Sequence, residues 1–309
     1  MSAGGGTKAI IAALAANLAI AVAKFVAFLV TTSSSMLAES IHSLADSGNQ
    51  VLLLVGGKRA ARARTAEHPF GYGRERYFYA FVVAVVLFTI GALFSLYEGW
   101  HKISDPHPVE TPIVAFGVLI FAIIAESFSF RTAIKESNHV RGTQSWVQFI
   151  RRSKSPELPV IVLEDLGALV GLVLALAGVT MAVVTGDGVW DGVGTMAIGV
   201  LLAIIAVILA IETKSLLIGE GAGPEVEKRI RGALESTPEV DRVIHMRTLH
   251  LGPEEILVAA KIAVDHDDTA SEVARGIDEA EQRVRAAVPE ARVIYLEPDL
   301  DRSKVNGSV

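Results

Sequence analysis

The feature that most constrains this chain is a series of apolar stretches, each long enough to cross a lipid bilayer as a helix. About 20 helical residues cross about 30 Å of hydrocarbon. The composition agrees, since 51% of the residues are hydrophobic and only 20% are charged. The sequence therefore predicts an α-helical membrane protein with six transmembrane helices, at residues 8–30, 36–55, 77–96, 112–130, 158–184 and 192–211.

The last third of the chain has the pattern of a small water-soluble domain. From Glu212 onward the sequence holds 20 acidic and 13 basic residues. Helices and alternating strands are expected in the order α-β-β-α-β, which is typical of a ferredoxin-like, metallochaperone-like α+β fold. The predicted elements lie at residues 224–235, 242–251, 255–264, 270–288 and 292–297. The predicted domains are thus a membrane domain, residues 1–211, and a cytoplasmic domain, residues 212–309.

The basic residues of the short loops predict how the chain lies in the membrane. Lys and Arg concentrate in loops on the cytoplasmic side. The loops after the second and fourth apolar stretches hold six each, whereas the opposite loops hold only Lys102. Both termini are therefore expected in the cytoplasm. The start of the chain lacks a transit-like pattern, which favours the inner membrane of a prokaryote.

The residue types that the chain lacks narrow its chemistry. It has no cysteine, so thiolate zinc sites, iron–sulfur clusters and a cysteine nucleophile are excluded, and any metal must be held by His, Asp or Glu. The sequence also lacks a zinc-protease motif, a nucleophile elbow and a Walker loop, and it has no basic domain for binding phosphates. We expect neither an enzyme nor a nucleic-acid-binding protein.

Ionisable residues within the apolar stretches are the candidates for a functional site, because a charge in hydrocarbon is unfavourable unless it faces a partner or a cavity. His42 and Asp46 stand four apart, on one face of a helix. Glu164 and Asp165 are adjacent, about 100° apart on a helix, so they do not face one site equally. A lone intramembrane His is more often a packing residue than a ligand, but this combination favours a cation site.

The apolar stretches also contain Asn17, Lys24 and Glu126. Their positions fit interhelical bonding and cation or proton handling equally well. The sequence leaves both roles open.

Several motifs resemble one known family. The run Ser35-Met-Leu-Ala-Glu-Ser-Ile-His42-Ser-Leu-Ala-Asp46 is similar to the second-helix signature of the cation diffusion facilitators, a family of zinc transporters. The run His68-Pro-Phe-Gly-Tyr-Gly-Arg74-Glu75 resembles the family's loop motif, and residues 248–253 and 295–298 resemble its cytoplasmic domain. The resemblance covers about the whole chain. It implies a six-helix transporter, usually a homodimer, that exchanges a divalent metal ion for protons.

One departure from the family pattern concerns the choice of ion. The family's fifth helix usually carries His or Asp four residues before a final Asp; if Asp165 is that Asp, Ile161 stands at the first position. Residues 162–169 instead resemble the branch that contains the mitochondrial-type mammalian zinc transporter. Either Glu164 supplies the missing ligand, or three protein ligands and water hold the ion, which weakens the preference for zinc over manganese, iron or cobalt.

Other family metal sites are incomplete in this sequence. Tyr72 stands where some relatives have a second loop His beside His68, and Ala260 and Tyr295 stand where metal-loaded relatives have His in the cytoplasmic domain. That domain is therefore expected to dimerise without storing metal. Surface or packing roles are predicted for its remaining candidates, which are His245, His250, His266 and Glu297.

The expected function is secondary transport of a divalent cation, first of all zinc, out of the cytoplasm in exchange for protons. The expected metal ligands are His42, Asp46, Asp165 and Glu164. Two alternatives stay open at this point: transport of manganese, iron or cobalt, and a membrane-anchored metal sensor or scaffold that does not transport.

Overall fold

A computed structural model describes residues 3–32, 34–109 and 111–300, with the backbone alone at residues 3–13, 15, 16, 34 and 35. The side chain of Ser35 and residues 301–309 of the predicted cytoplasmic domain lie outside this description. Two compact units are distinguished. The first contains Met1–Lys58 and Arg76–Lys214, and the second contains Arg59–Glu75 and Ser215–Val309.

The first unit is helical, because its apolar runs satisfy their backbone hydrogen bonds within each segment. A π-helical segment, Leu87–Ala92, joins α3 and α4, so the three form one continuous helix, Glu75–Ser104. The helices are α1 (Ala3–Thr31), α2 (Ser34–Ala60), α3 (Glu75–Val86), α4 (Leu93–Ser104), α5 (Pro112–Arg141), α6 (Trp146–Arg152), α7 (Glu157–Thr185) and α8 (Val189–Ile218).

Within the described residues, four helices are long and apolar enough to span a bilayer: Glu75–Ser104, Pro112–Arg141, Glu157–Thr185 and Val189–Ile218. Apart from Leu14, the side chains of α1 are described only from Asn17 onward, and that part, Asn17–Thr31, is apolar but shorter than a span. The prediction of a helical membrane domain is confirmed, but the predicted number of six transmembrane helices is not confirmed. The reason in α2 is physical, since its carboxylates, imidazole and hydroxyls lower the average hydropathy of a helix that is otherwise long enough.

Small residues let the helices of the first unit approach closely. The face of α7 that carries Glu164 also carries Ala168, Gly171, Ala175 and Gly178, and all five are buried. A Cβ atom added at Gly178 would lie 3.2 Å from the Cα atom of Gly194 on α8. Such small-residue contacts replace the hydrophobic driving force that is missing between helices in lipid. These small residues therefore bring α7 against α8, and α7 also packs along α5.

The second unit contains the predicted α-β-β-α-β domain. Strand β2 lies in the middle of the sheet, antiparallel to β1 and parallel to β3. Alternating apolar residues of the strands pack against both helices around a core that includes Ile230, Val258 and Val284. The elements are α9 (Pro224–Glu235), β1 (Arg242–Gly252), β2 (Glu255–Val264), α10 (Ala270–Ala287) and β3 (Ala291–Leu300).

Local hydrogen bonds fix the start of α10. The Thr269 hydroxyl accepts a bond from the backbone N–H of Glu272, and the Glu272 carboxylate accepts one from the backbone N–H of Thr269, at 2.8 Å. These bonds form a capping box. The pKa of Glu272 is lowered, because the Thr269 hydroxyl first and the Thr269 backbone N–H second donate hydrogen bonds that favour the ionised carboxylate.

The loop Arg59–Glu75 belongs to the second unit although it separates two helices of the first in sequence. Arg64 forms an ion pair with Glu255 of β2. Gly73 packs so closely on β1 that an added Cβ atom would lie 2.6 Å from the Leu251 carbonyl oxygen. The glycine of the predicted loop motif thus permits a backbone contact that any larger residue would block.

Candidate cation site

One face of α2 carries a row of buried polar side chains. Glu39, His42, Asp46 and Asn49 follow one another at intervals of three or four residues, which places them along a single helix face. All four are buried, and none is more than 8% exposed. The Nε2 atom of His42 lies 3.5 Å from the Oδ2 atom of Asp46. The spacing of these two residues therefore does bring imidazole and carboxylate together.

The two acidic residues of α7 point to different helices. The Oε1 atom of Glu164 accepts a 2.6 Å hydrogen bond from the Nδ2 atom of Asn49 on α2. The Oδ2 atom of Asp165 accepts a 2.9 Å bond from the Ser129 hydroxyl on α5. Adjacent helix positions diverge by about 100°, which explains the separation. Glu164 is the α7 carboxylate that faces the helix carrying His42 and Asp46.

A buried ion pair joins α1 to the same polar face of α2. The Lys24 ammonium lies 3.1 Å from the Oε2 atom of Glu39 and donates a 2.7 Å hydrogen bond to the Ser43 hydroxyl. The side chains of Lys24 and Glu39 are both fully buried. Of the two roles left open for Lys24, the structure shows interhelical bonding.

Buried carboxylates give this part of the first unit an excess of negative charge. Asp46 interacts electrostatically with Glu164, Glu126 and Asp165, and the Lys24 ammonium opposes part of that charge. Buried charges need a partner of opposite sign or a proton, because an isolated ion is strongly disfavoured away from water. The region is therefore suited to a cation.

Several polar atoms of this region have no hydrogen-bond partner among the described residues. They include both ring nitrogens of His42, the Oδ1 atom of Asp46 and the Oδ1 atom of Asn49. Buried polar atoms without partners are rare in native proteins and need an explanation. Imidazole nitrogens and carboxylate or amide oxygens are also the atoms that bind divalent metals. A bound cation would satisfy them.

The π-helical segment lies beside the same imidazole. A Cβ atom added at Gly91 would lie 3.9 Å from the Nδ1 atom of His42. Single π-helical turns occur frequently at functional sites. The π-helical segment therefore lies within van der Waals distance of the His42 ring, beside the candidate site.

The four predicted ligands are only partly brought together. Over residues 3–32, 34–109 and 111–300, no three His, Asp or Glu side chains converge in an arrangement that holds a metal ion. His42 and Asp46 form one pair, while Glu164 and Asp165 are bonded to Asn49 and Ser129 instead. The sequence reasoning missed both of these partners. Asn49 carried a usable signal, because it follows Asp46 by three residues on the same face, whereas nothing in the sequence links Ser129 to Asp165.

The other candidate ligands belong to the second unit. In the loop, the rings of His68 and Tyr72 stack with their centroids 4.5 Å apart. In the second unit, His250 is buried with its Nδ1 atom 3.3 Å from the Gly252 carbonyl oxygen. His245 and His266 are exposed. The Glu297 carboxylate pairs with Lys261 at 2.9 Å, and this bond raises the pKa of the lysine.

Two protein-family models together match most of the chain. Residues 10–218 match the cation efflux transmembrane domain, and residues 222–299 match the cytoplasmic domain of cation efflux proteins. The chain belongs to the cation efflux family. The resemblance to cation diffusion facilitators is thereby confirmed, as is the expectation of a protein that is not an enzyme, since the family consists of transporters.

Named members of the cation efflux family differ in the metal that they carry. The proton-coupled zinc antiporter SLC30A9, mitochondrial, of Xenopus laevis is 30% identical over 84% of this chain and 47% of its own length. The manganese efflux system protein MneP of Bacillus subtilis is 23% identical over 94% of this chain and 95% of its own length. The chain thus spans about half the length of the SLC30A9 relatives that it matches.

Proposed function

We propose that this cation efflux protein exchanges a divalent metal ion for protons across a membrane, with zinc as the first candidate. The observation that carries the proposal is the buried His42–Asp46 pair, which lies on α2 among carboxylates of α5 and α7. The relatives support the same reading, since one is named a proton-coupled zinc antiporter and another a manganese efflux protein. Manganese is therefore the second candidate.

Competition between metal and protons supplies the coupling. Neutral imidazole and ionised carboxylates bind a divalent cation, and protonation of the same groups releases it, so metal affinity falls as pH falls. The cation would bind from the cytoplasmic side to His42, Asp46, Glu164 and Asp165. A rigid-body movement of the helices would then open the site to the opposite side, where protons displace the metal.

We expect the two carboxylates of α7 to contribute unequally. Glu164 is bonded to Asn49 on α2, the helix that carries His42 and Asp46, whereas Asp165 is bonded to Ser129 on α5. Glu164 would bind the metal through Oε2 while Oε1 keeps its hydrogen bond from Asn49. Glu164→Gln is therefore expected to slow zinc uptake into proteoliposomes by about a hundredfold, and Asp165→Asn by about tenfold, the range over which metal ligands and their supporting groups act. The reverse order would assign the main role to Asp165.

The function itself is tested by zinc uptake into sealed vesicles that contain the purified protein. With an acidic lumen, luminal protons should displace zinc that enters from outside, so uptake is expected to be faster than in vesicles with equal pH on both sides. Equal rates would contradict proton coupling. If the protein moves manganese, iron or cobalt but not zinc, the cargo assignment is wrong, and if it moves none of them, transport itself is contradicted.

We further infer a homodimer whose C-terminal domain lies in the cytoplasm. The inference rests first on the match to the family's cytoplasmic domain. It rests second on the concentration of Lys and Arg in the loops after the second and fourth apolar stretches, since these residues collect on the cytoplasmic side. The relatives include mitochondrial and bacterial proteins. Residence in a prokaryotic inner membrane therefore stays a prediction.

A further inference from the structure

Asn49 lies beside the four predicted ligands but is not one of them. Its side chain is fully buried on the polar face of α2, three residues after Asp46 and seven after His42. Positions at these intervals lie on one face of a helix, within one or two turns of each other. Asn49 is therefore next to the candidate site and closed off from solvent.

The two polar atoms of its amide group are in different situations. The Nδ2 atom donates a 2.6 Å hydrogen bond to the Oε1 atom of Glu164, which joins α2 to α7 directly. The Oδ1 atom is buried and has no hydrogen-bond partner among the residues that the structure describes. The oxygen assignment follows from chemistry, because a carboxylate oxygen accepts a bond from the amide NH₂ group and not from the amide carbonyl. The Glu164 bond thus fixes the orientation of the amide and leaves its oxygen available.

A second unpartnered oxygen lies one turn away. The Oδ1 atom of Asp46 is also buried, and within the described ranges it has no hydrogen-bond partner either. Residues three apart on a helix have neighbouring side chains. The polar face of α2 therefore presents one carboxylate oxygen and one amide oxygen side by side, beside the Glu164 carboxylate of α7.

We propose that Asn49 determines cation specificity, with its amide oxygen joining Asp46 and Glu164 as an oxygen ligand. This inference rests on the proposed transport function. Carboxylate and carbonyl oxygens suit hard cations such as manganese, whereas imidazole suits zinc. A site that combines His42 with three oxygen-bearing side chains accepts both metals, and the amide oxygen shifts its preference toward manganese.

The test measures the concentration of manganese that halves zinc uptake into proteoliposomes. Asn49→Leu removes the amide oxygen at similar volume, and we expect the halving concentration of manganese to rise about tenfold, the lower end of the effect of groups around a metal. Asn49→Asp keeps an oxygen at the same position and is expected to retain sensitivity to manganese. Ser47→Ala is the matched control, because the Ser47 hydroxyl bonds the Ser43 carbonyl of its own helix.

The possible outcomes separate this role from a purely structural one. Loss of an interhelical bond alone would slow uptake of both metals equally and leave the halving concentration of manganese unchanged. That result would overturn the proposal. A wild-type protein that manganese does not inhibit would overturn it as well. If the leucine variant is not recovered folded, Asn49→Ala decides in its place with the same expectation. Absence of zinc uptake in the wild-type protein would instead contradict the transport function on which the proposal rests.

Discussion

Asp46→Ala is expected to slow zinc uptake by at least about a hundredfold, more than the loss of a group that merely supports a ligand. Within the part of the chain that the structure describes, Asp46 lies 3.5 Å from His42, and its other oxygen has no hydrogen-bond partner. The substitution removes both carboxylate oxygens of Asp46 from the candidate site. On α2, only the His42 imidazole and the Asn49 amide oxygen would then face the metal.

The folded protein should tolerate this change. Asp46 is buried among other carboxylates, and its interactions with Glu164, Glu126 and Asp165 are repulsive. Removal of one negative charge from such a cluster relieves repulsion, so the thermal midpoint of the metal-free variant is expected to equal or exceed that of the wild-type protein. Functional sites commonly combine high activity with such local destabilisation.

Two measurements on the same preparations test this prediction. The first is zinc uptake, beside Asp46→Asn, which keeps the size of the side chain, and Ser47→Ala, whose wild-type hydroxyl is satisfied within α2. The second is the rise in thermal midpoint when zinc is added, since a ligand that binds only the folded state stabilises it. We expect the rise in the wild-type protein and its loss in both Asp46 variants. An alanine variant that transports zinc at the wild-type rate would remove Asp46 from the site.

Features with a local sequence signal were predicted correctly. The interval of four residues between His42 and Asp46 was enough to place them on one helix face, because helix geometry fixes that relation. The elements of the C-terminal domain followed from alternation and amphipathic periodicity in the same way. The parallel pairing of β2 with β3 was not specified by these patterns, since pairing depends on how α10 crosses between the strands.

Features that depend on contacts between distant segments were beyond the sequence patterns. Lys24 and Glu39 are 15 residues apart, and Asn49 and Glu164 are 115 residues apart. Periodicity says which face a residue occupies but not which helix covers that face. The same limit applies to the loop Arg59–Glu75, which was expected with the membrane domain by its place in the chain and groups with the second unit in the structure.

The Lys24–Glu39 pair leads to the largest expected change in stability. Lys24→Met leaves the Glu39 carboxylate fully buried without its ammonium partner, and breaking a buried pair in this way costs about 3–5 kcal/mol of unfolding free energy. The environment offers little relief, because the second oxygen of Glu39 has no hydrogen-bond partner among the described residues and lies close to Gly171 of α7. Chemical unfolding of the purified protein in detergent would measure the loss.

The double variant Lys24→Met with Glu39→Gln identifies the cause of that loss. Glutamine has nearly the shape of glutamate but no charge, so most of the stability should return, since the uncompensated carboxylate is gone. Ser43→Ala removes only the hydroxyl that accepts a hydrogen bond from Lys24. It should lower the unfolding free energy by about 1 kcal/mol. If the double variant is as unstable as Lys24→Met alone, the lysine acts through packing of its aliphatic chain and not as the counter-charge of Glu39. A full return of stability together with normal zinc uptake would show that the pair joins α1 to α2 without taking part in transport.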